Sequence, residues 1–230
     1  MTTRLVQVRQ QVLKQNDVVA RALRRRFREA GVRVVSLVSS PGSGKTAFLK
    51  QTLLALRDRY RVAALVGDLA TEHDAARLAE TGVPVRQITT GSVCHLEAEM
   101  IERALADWDL AALDFLFVEN VGNLVCPATF DLGEDLRATL FSVTEGEDKP
   151  QKYPTIFHSA DLAVITKSDL AAAAEFDAPA ARRSVESVRP GMEVLEVSAK
   201  TGAGMDAWLA KLRSMPKNLA AGQLSGIEGS

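Results

Sequence analysis

The sequence predicts an α/β fold in which a mostly parallel sheet is covered by helices on both faces. Two observations carry that reading. From Gly31 to Leu212, short apolar, β-branched runs alternate with helical segments, the pattern of strands buried on both faces. The first of those runs, Val32–Val38, passes through a glycine-rich turn directly into an apolar helix. Size agrees: with 230 residues, 47% hydrophobic and 25% charged, the chain can bury a core, and wholesale disorder is excluded.

The elements follow in order. Residues 3–30 read as an amphipathic helix, because Leu5, Val8, Val12, Val19, Leu23 and Phe27 recur at steps of three, four or seven. Gly31 stops it. Then come a strand at Val32–Val38, a helix at Lys45–Asp58, a strand at Arg61–Val66 and a helix at His73–Glu80. A short strand at Val85–Ile88 precedes a helix at Leu96–Ala106, and strands follow at Phe115–Val118 and Leu162–Ile165. A helix at Ala178–Val188, a strand at Val194–Val197 and a helix at Met205–Leu212 close the pattern. The acidic, proline-bearing stretch Thr144–Pro154 reads as an exposed loop, and the polar tail after Pro216 as loose. The organisation is thus an N-terminal helix (1–30), one domain (31–215) and a flexible tail (216–230).

Charge and targeting narrow the class. With 28 basic and 29 acidic residues the net charge is −1, so no whole-protein field favours nucleic acid or anionic lipid. The run Arg24–Arg26 is then a solvated helix end. No apolar run approaches the ~20 residues of a membrane span, and the first residues carry no apolar signal core. Two cysteines cannot form a disulfide scaffold, so the sequence points to a reduced, cytoplasmic setting.

The turn after the first strand reads Ser39-Ser40-Pro41-Gly42-Ser43-Gly44-Lys45-Thr46, with Ala47 next on the helix. A phosphate chain needs converging backbone N–H groups and glycine wherever a Cβ would block its approach. Lys45 supplies a cation for the outer phosphates, and the Thr46 hydroxyl completes the octahedron of a magnesium ion. Ser39 stands where the strict pattern has glycine, but Gly42, Gly44, Lys45 and Thr46 are intact, so this is a P-loop and the fold a P-loop NTPase. Asp68 and Glu119 end the second strand and the strand at Phe115–Val118. Carboxylates there face the phosphates and hold magnesium directly or through water, or else cap the following segment.

The strand Leu162–Ile165 ends in Thr166-Lys167-Ser168-Asp169, which resembles the N-K-x-D guanine motif of P-loop GTPases with threonine for asparagine. A carboxylate at Asp169 can accept both guanine N1–H and N2–H₂, and the Lys167 stem can cover the ring. Ser198-Ala199-Lys200 resembles the S-A-K loop of the same enzymes, whose alanine N–H meets guanine O6. The three segments in this order favour GTP over ATP.

Cys94-His95 opens the predicted helix Leu96–Ala106, and Cys126 lies in the loop that begins at Glu119. Two thiolates and an imidazole suit zinc, nickel or copper(I). On spacing alone they read more readily as two small buried cysteines and a surface histidine. Neighbouring residues on a helix point about 100° apart, so three ligands per chain leave a metal open or shared across a dimer axis.

The phrases S-S-P-G-S-G-K-T, G-D-L-A-T-E-H-D, G-S-V-C-H-L-E, E-N-V-G-N-L-V-C-P and E-D-K-P-Q-K-Y-P together resemble the HypB family of hydrogenase nickel-insertion GTPases. The resemblance runs from about residue 30 to 215. It implies that Cys94, His95 and Cys126 bind nickel or zinc near a homodimer interface promoted by GTP or metal. It further implies that GTP state gates nickel transfer to a hydrogenase large-subunit precursor, alongside other nickel-delivery maturation proteins. The chain departs from some members in having neither a C-x-x-C-G-C motif nor a histidine-rich leader, so a separate tight N-terminal metal site is not expected. The urease nickel GTPases share the P-loop, but their C-P-H motif is absent. A P-loop kinase would need an arginine-rich lid, whereas the stretch between Glu119 and Leu162 is acidic. The expected reaction is hydrolysis of GTP to GDP and phosphate, with Lys45 neutralising the β- and γ-phosphates and Asp68 positioning the attacking water.

Overall fold

The structure, a computed structural model, describes residues 2–69 and 73–217, with side chains from residue 10 onward. Seven strands build one sheet among these residues: β1 (Arg33–Ser39), β2 (Val62–Asp68), β3 (Val85–Thr89), β4 (Phe115–Glu119), β5 (Leu136–Ser142), β6 (Leu162–Thr166) and β7 (Glu193–Glu196). Their spatial order is β3-β2-β4-β1-β5-β6-β7, and every neighbouring pair is parallel. β1 lies at the centre and is buried along its whole length, which is why it reads as an almost unbroken apolar run.

Helices α1 (Thr2–Ala30), α2 (Lys45–Leu56), α3 (His73–Ala79), α4 (Ala98–Ala104), α5 (Lys149–Lys152), α6 (Pro154–Ser159), α7 (Ala178–Val188) and α8 (Met205–Ser214) accompany the sheet. On one face α2 and α8 set Phe48, Leu53, Trp208 and Leu212 against Val35, Leu37 and Leu140. Trp208 settles its indole N–H on Thr52 Oγ1 at 2.9 Å, so the buried ring keeps a partner for its one polar group. On the other face α1 and α4 bring Leu23, Phe27 and Ile101 to Val34, Leu65 and Val118. Beside them α6 and α7 press Phe157 and Val185 on Phe141 and Ile165. No described helix is long and apolar enough to cross a membrane.

The structure corrects the sequence reading in four places. β5 is a fully buried central strand beside β1 that the apolar pattern does not announce, because Arg137 and Thr139 interrupt its run. Arg137 is tolerated there since its guanidinium meets Glu134 Oε1, Ser159 Oγ and the Phe130 carbonyl. Thr144–Pro154 is not an exposed loop: it folds as a 3₁₀ turn at Val143–Glu145, then α5, with Pro150 buried. The turn is a capping box, Ser142-x-x-Glu145, a signal present in the sequence. The predicted helix at Leu96–Ala106 shrinks to α4, leaving Cys94 and His95 in the turn before it. On α1, Val12 of the expected apolar stripe is 43% exposed. The side chains of Leu5 and Val8, and tail residues 218–230, lie outside the described residues.

Candidate nucleotide and metal sites

The turn after β1 enters α2 at Lys45, and its shape depends on glycine. Gly44 sits at φ 91°, in the left-handed region where a side chain is strained, and a Cβ there would lie 3.5 Å from the Lys167 stem. Residues Pro41, Gly42, Ser43, Gly44, Lys45, Thr46 and Ala47, the expected phosphate ligands, line one cavity of about 450 Å³ together with Asp68. Asp74 and Arg77 of α3 line it as well, two residues the sequence reading did not single out.

Lys45 Nζ lies 2.9 Å from Glu119 Oε1, and Thr46 Oγ1 donates to the same oxygen at 2.6 Å. Glu119 is 1% exposed, held by β4 pairing with β1 at Leu37. Its second oxygen, Oε2, and the Ser43 hydroxyl are buried with no hydrogen-bond partner among the described residues. A dry carboxylate oxygen without a partner is costly, and a cation beside the P-loop would offset that cost. The donor set Thr46, Asp68 and Glu119 is all oxygen, which suits a hard divalent ion. Asp68, at the end of β2, turns Oδ1 onto the Leu69 N–H at 2.6 Å.

A second cavity of about 230 Å³ adjoins the first. Phe48, Lys167, Leu170 and Val197 line it, together with Asp169, Ala199 and Lys200. Lys167 holds φ 57° and donates Nζ to the Gly42 carbonyl at 2.7 Å, so its stem lies along the P-loop. Thr166, which stands where the N-K-x-D motif has asparagine, donates Oγ1 to the Ser43 carbonyl at 2.5 Å. Ser198 is fully buried and does not line the cavity; it donates to Asp169 Oδ1 at 2.6 Å and fixes that carboxylate.

Cys94, His95 and Cys126 converge: one ligand atom from each lies within 4.8 Å of the others, all half-buried. The loop after β4 brings Cys126 there, shaped by Asn123 Oδ1, which accepts from the Val125 and Cys126 N–H groups. Both His95 nitrogens are buried without a hydrogen bond among the described residues, although Nε2 approaches Glu97 Oε1 at 3.4 Å. Burial pushes the imidazole pKa down, against a weaker upward pull from Glu97, which favours the neutral ring that ligates metal. Phe130 covers that ring at a centroid distance of 3.9 Å.

Two further residues escape sequence reasoning. Asn120, 1% exposed, accepts the Leu96 N–H at 3.0 Å and so ties the end of β4 to the turn carrying Cys94 and His95. Glu145 bonds the Ser40 hydroxyl and accepts Lys149 Nζ at 2.9 Å, bringing the acidic segment onto the P-loop.

Comparison with known proteins follows the same lines. The family model described as CobW/HypB/UreG, nucleotide-binding domain, matches residues 33–196. The hydrogenase maturation factor HypB of Azotobacter vinelandii is 50% identical over 208 residues, covering 90% of this chain and 69% of that protein. The crystal structure of HypB from Helicobacter pylori in complex with nickel superposes with a TM-score of 0.81 at 39% identity, covering 86% of this chain and 94% of that one. HypB from Archaeoglobus fulgidus gives the same TM-score at 37% identity, covering 87% and 98%.

Proposed function

Because this chain belongs to the HypB hydrogenase maturation factors of the CobW/HypB/UreG family, we propose that it is a GTP-hydrolysing carrier that delivers nickel for hydrogenase assembly. One observation carries the reading. A single loop begins at Glu119, against Lys45 and Thr46, and ends at Cys126, against Cys94 and His95, while Asn120 binds the turn holding the latter pair.

GTP is the substrate in this reading. Its base enters the smaller cavity, where Asp169 accepts from guanine and Ser198 keeps that carboxylate aimed. Its phosphates lie along Pro41–Ala47. Lys45 then leaves Glu119 for the β- and γ-oxygens, so the buried carboxylate is released as the phosphates arrive. Thr46, Asp68 and Glu119 would hold Mg²⁺, which spreads phosphate charge as the bond to the γ-phosphoryl group breaks. Asp68 orients the water. Nickel is the cargo, and zinc suits the same two thiolates and one imidazole. Three ligands leave a position for a donor from a second copy of the chain, or from the client: a hydrogenase large-subunit precursor or another nickel-delivery maturation protein.

Two measurements test this. Phosphate release should be faster with GTP than with ATP and fall at least 100-fold in Lys45→Ala, whose circular dichroism should stay native. Equilibrium dialysis of the reduced protein should find nickel bound, and a Cys94→Ser, Cys126→Ser double variant should lose it. Equal turnover of both nucleotides, or undiminished nickel in the double variant, would overturn the reading.

A further inference from the structure

Asn16 lies in the middle of α1, far in sequence from the residues of both candidate sites, yet it is 6% exposed and both ends of its amide are engaged. Its Oδ1 accepts the Ala98 N–H at 2.8 Å, and its Nδ2 donates to the Asp131 carbonyl at 2.8 Å. The first bond caps α4, whose own capping residue Glu97 contributes no side-chain bond. The second holds the residue that follows Phe130, the ring lying on His95. One side chain therefore spans the two segments that carry the thiol–imidazole cluster: the Cys94–Leu96 turn, which ends two residues before Ala98, and the Cys126–Asp131 stretch. Arg24, two turns along α1, grips the second segment again through Asp131 Oδ1 at 2.7 Å.

We propose that Asn16 is a positioning residue for the metal site, setting the separation of Cys94 and His95 from Cys126 by bridging their two chain segments. The inference rests on the nickel reading above. Geometry gives the reason. Neither turn is part of a long helix or a strand, so each needs outside bonds to hold its ligands in place. Asn120 fixes the Cys94–Leu96 turn to β4, but among the described residues Asn16 alone has one side chain bonded to both segments. Losing it leaves the Ala98 N–H and the Asp131 carbonyl buried without this partner and lets the His95–Phe130 contact slacken.

The test compares nickel binding by the full-length protein and three variants, using a competing chelator and the thiolate-to-nickel charge-transfer absorption. Asn16→Leu removes both bonds at similar volume and should weaken nickel at least tenfold while altering that absorption. Asn16→Asp keeps the acceptor for Ala98 but not the donor for Asp131 and should fall between Asn16→Leu and the unaltered chain. Phe27→Leu trims the packing of the same helix and leaves both hydrogen bonds of Asn16 in place; it should lower thermal stability and leave nickel affinity unchanged. GTP affinity, read on every variant, should stay within threefold and shows that the fold is intact. Nickel affinity and absorption in Asn16→Leu equal to those of the unaltered chain would overturn the assignment, as would an equal loss in Phe27→Leu. Absence of nickel binding by the unaltered chain would instead overturn the nickel reading itself, and this assignment with it.

Discussion

Asp169 accepts the Ser198 hydroxyl at 2.6 Å, so the carboxylate proposed to read the base is held in place by the protein itself. Exchanging one of its oxygens for an amide in Asp169→Asn puts a donor before guanine's donors. GTP affinity in that variant should fall at least tenfold while xanthosine triphosphate binds better, as read by fluorescent-nucleotide titration. Thr166 shows how a departure from a motif is absorbed, because a shorter side chain still reaches the Ser43 carbonyl. Asp131 gives a pH signature. Burial alone would raise its carboxyl pKa, but hydrogen bonds from Arg24 and the Gly133 N–H, with the Arg24 charge, pull it below the usual carboxylate value. A depressed folded pKa adds stability above the unfolded value of about 3.9, and that stability is lost as pH falls through the folded value. The Tm difference between the unaltered chain and Arg24→Ala should therefore be present at neutral pH and close below about pH 3. A difference that persists in acid would show that Arg24 acts by packing.

At the scale of elements, β5 depends on an ion pair that no periodicity reveals. Arg137 and Glu134 are both nearly excluded from water, and Glu134 also accepts the Ser36 hydroxyl and the Leu132 N–H. Arg137→Ala would strand that carboxylate in the core, and urea denaturation should show a loss of about 3–5 kcal/mol. Double replacement by apolar residues of like volume should recover much of it. β2 closely approaches the turn holding His95 at Gly67, where a Cβ would stand 2.7 Å from the fully buried Leu96 side chain. Gly67→Ala should cost about 1–3 kcal/mol by overpacking. Because Leu96 adjoins His95, the same variant should also weaken nickel binding; unchanged affinity in a destabilised protein would separate the strand from the metal turn.

At the scale of the molecule, both candidate sites lie beyond the carboxyl ends of the parallel strands, linked through Glu119, Asn120 and Leu96. If phosphates draw Lys45 off Glu119, that link shifts, and coupling between sites must be reciprocal. Nickel titrations of nucleotide-free, GDP-bound and GTP-analogue-bound protein should give different affinities, with nucleotide affinities changed by the same factor; Asn120→Ala should bring that factor towards one. Identical nickel affinity in all three states would remove the switch. Much of this architecture is legible in the amino-acid order. Alternating apolar strands and helices, the Pro41–Ala47 loop, Thr166–Asp169 and Ser198–Lys200 are contiguous, and contiguous residues encode backbone shape through their own torsional and periodic preferences. The sequence alone therefore determines the α/β class and the glycine-rich turn, and it supplies Thr166–Asp169 and Ser198–Lys200 as candidate base-reading segments and Cys94, His95 and Cys126 as candidate ligands. Tertiary structure decides which buried polar groups meet. Arg137 in β5 finds Glu134 just before that strand, Lys45 finds Glu119 across 74 residues, and Asn16 joins segments 82 and 115 residues away. A lone polar residue carries no period, and its partner is chosen by packing, because leaving it unpaired in the interior costs more than any local preference can offset.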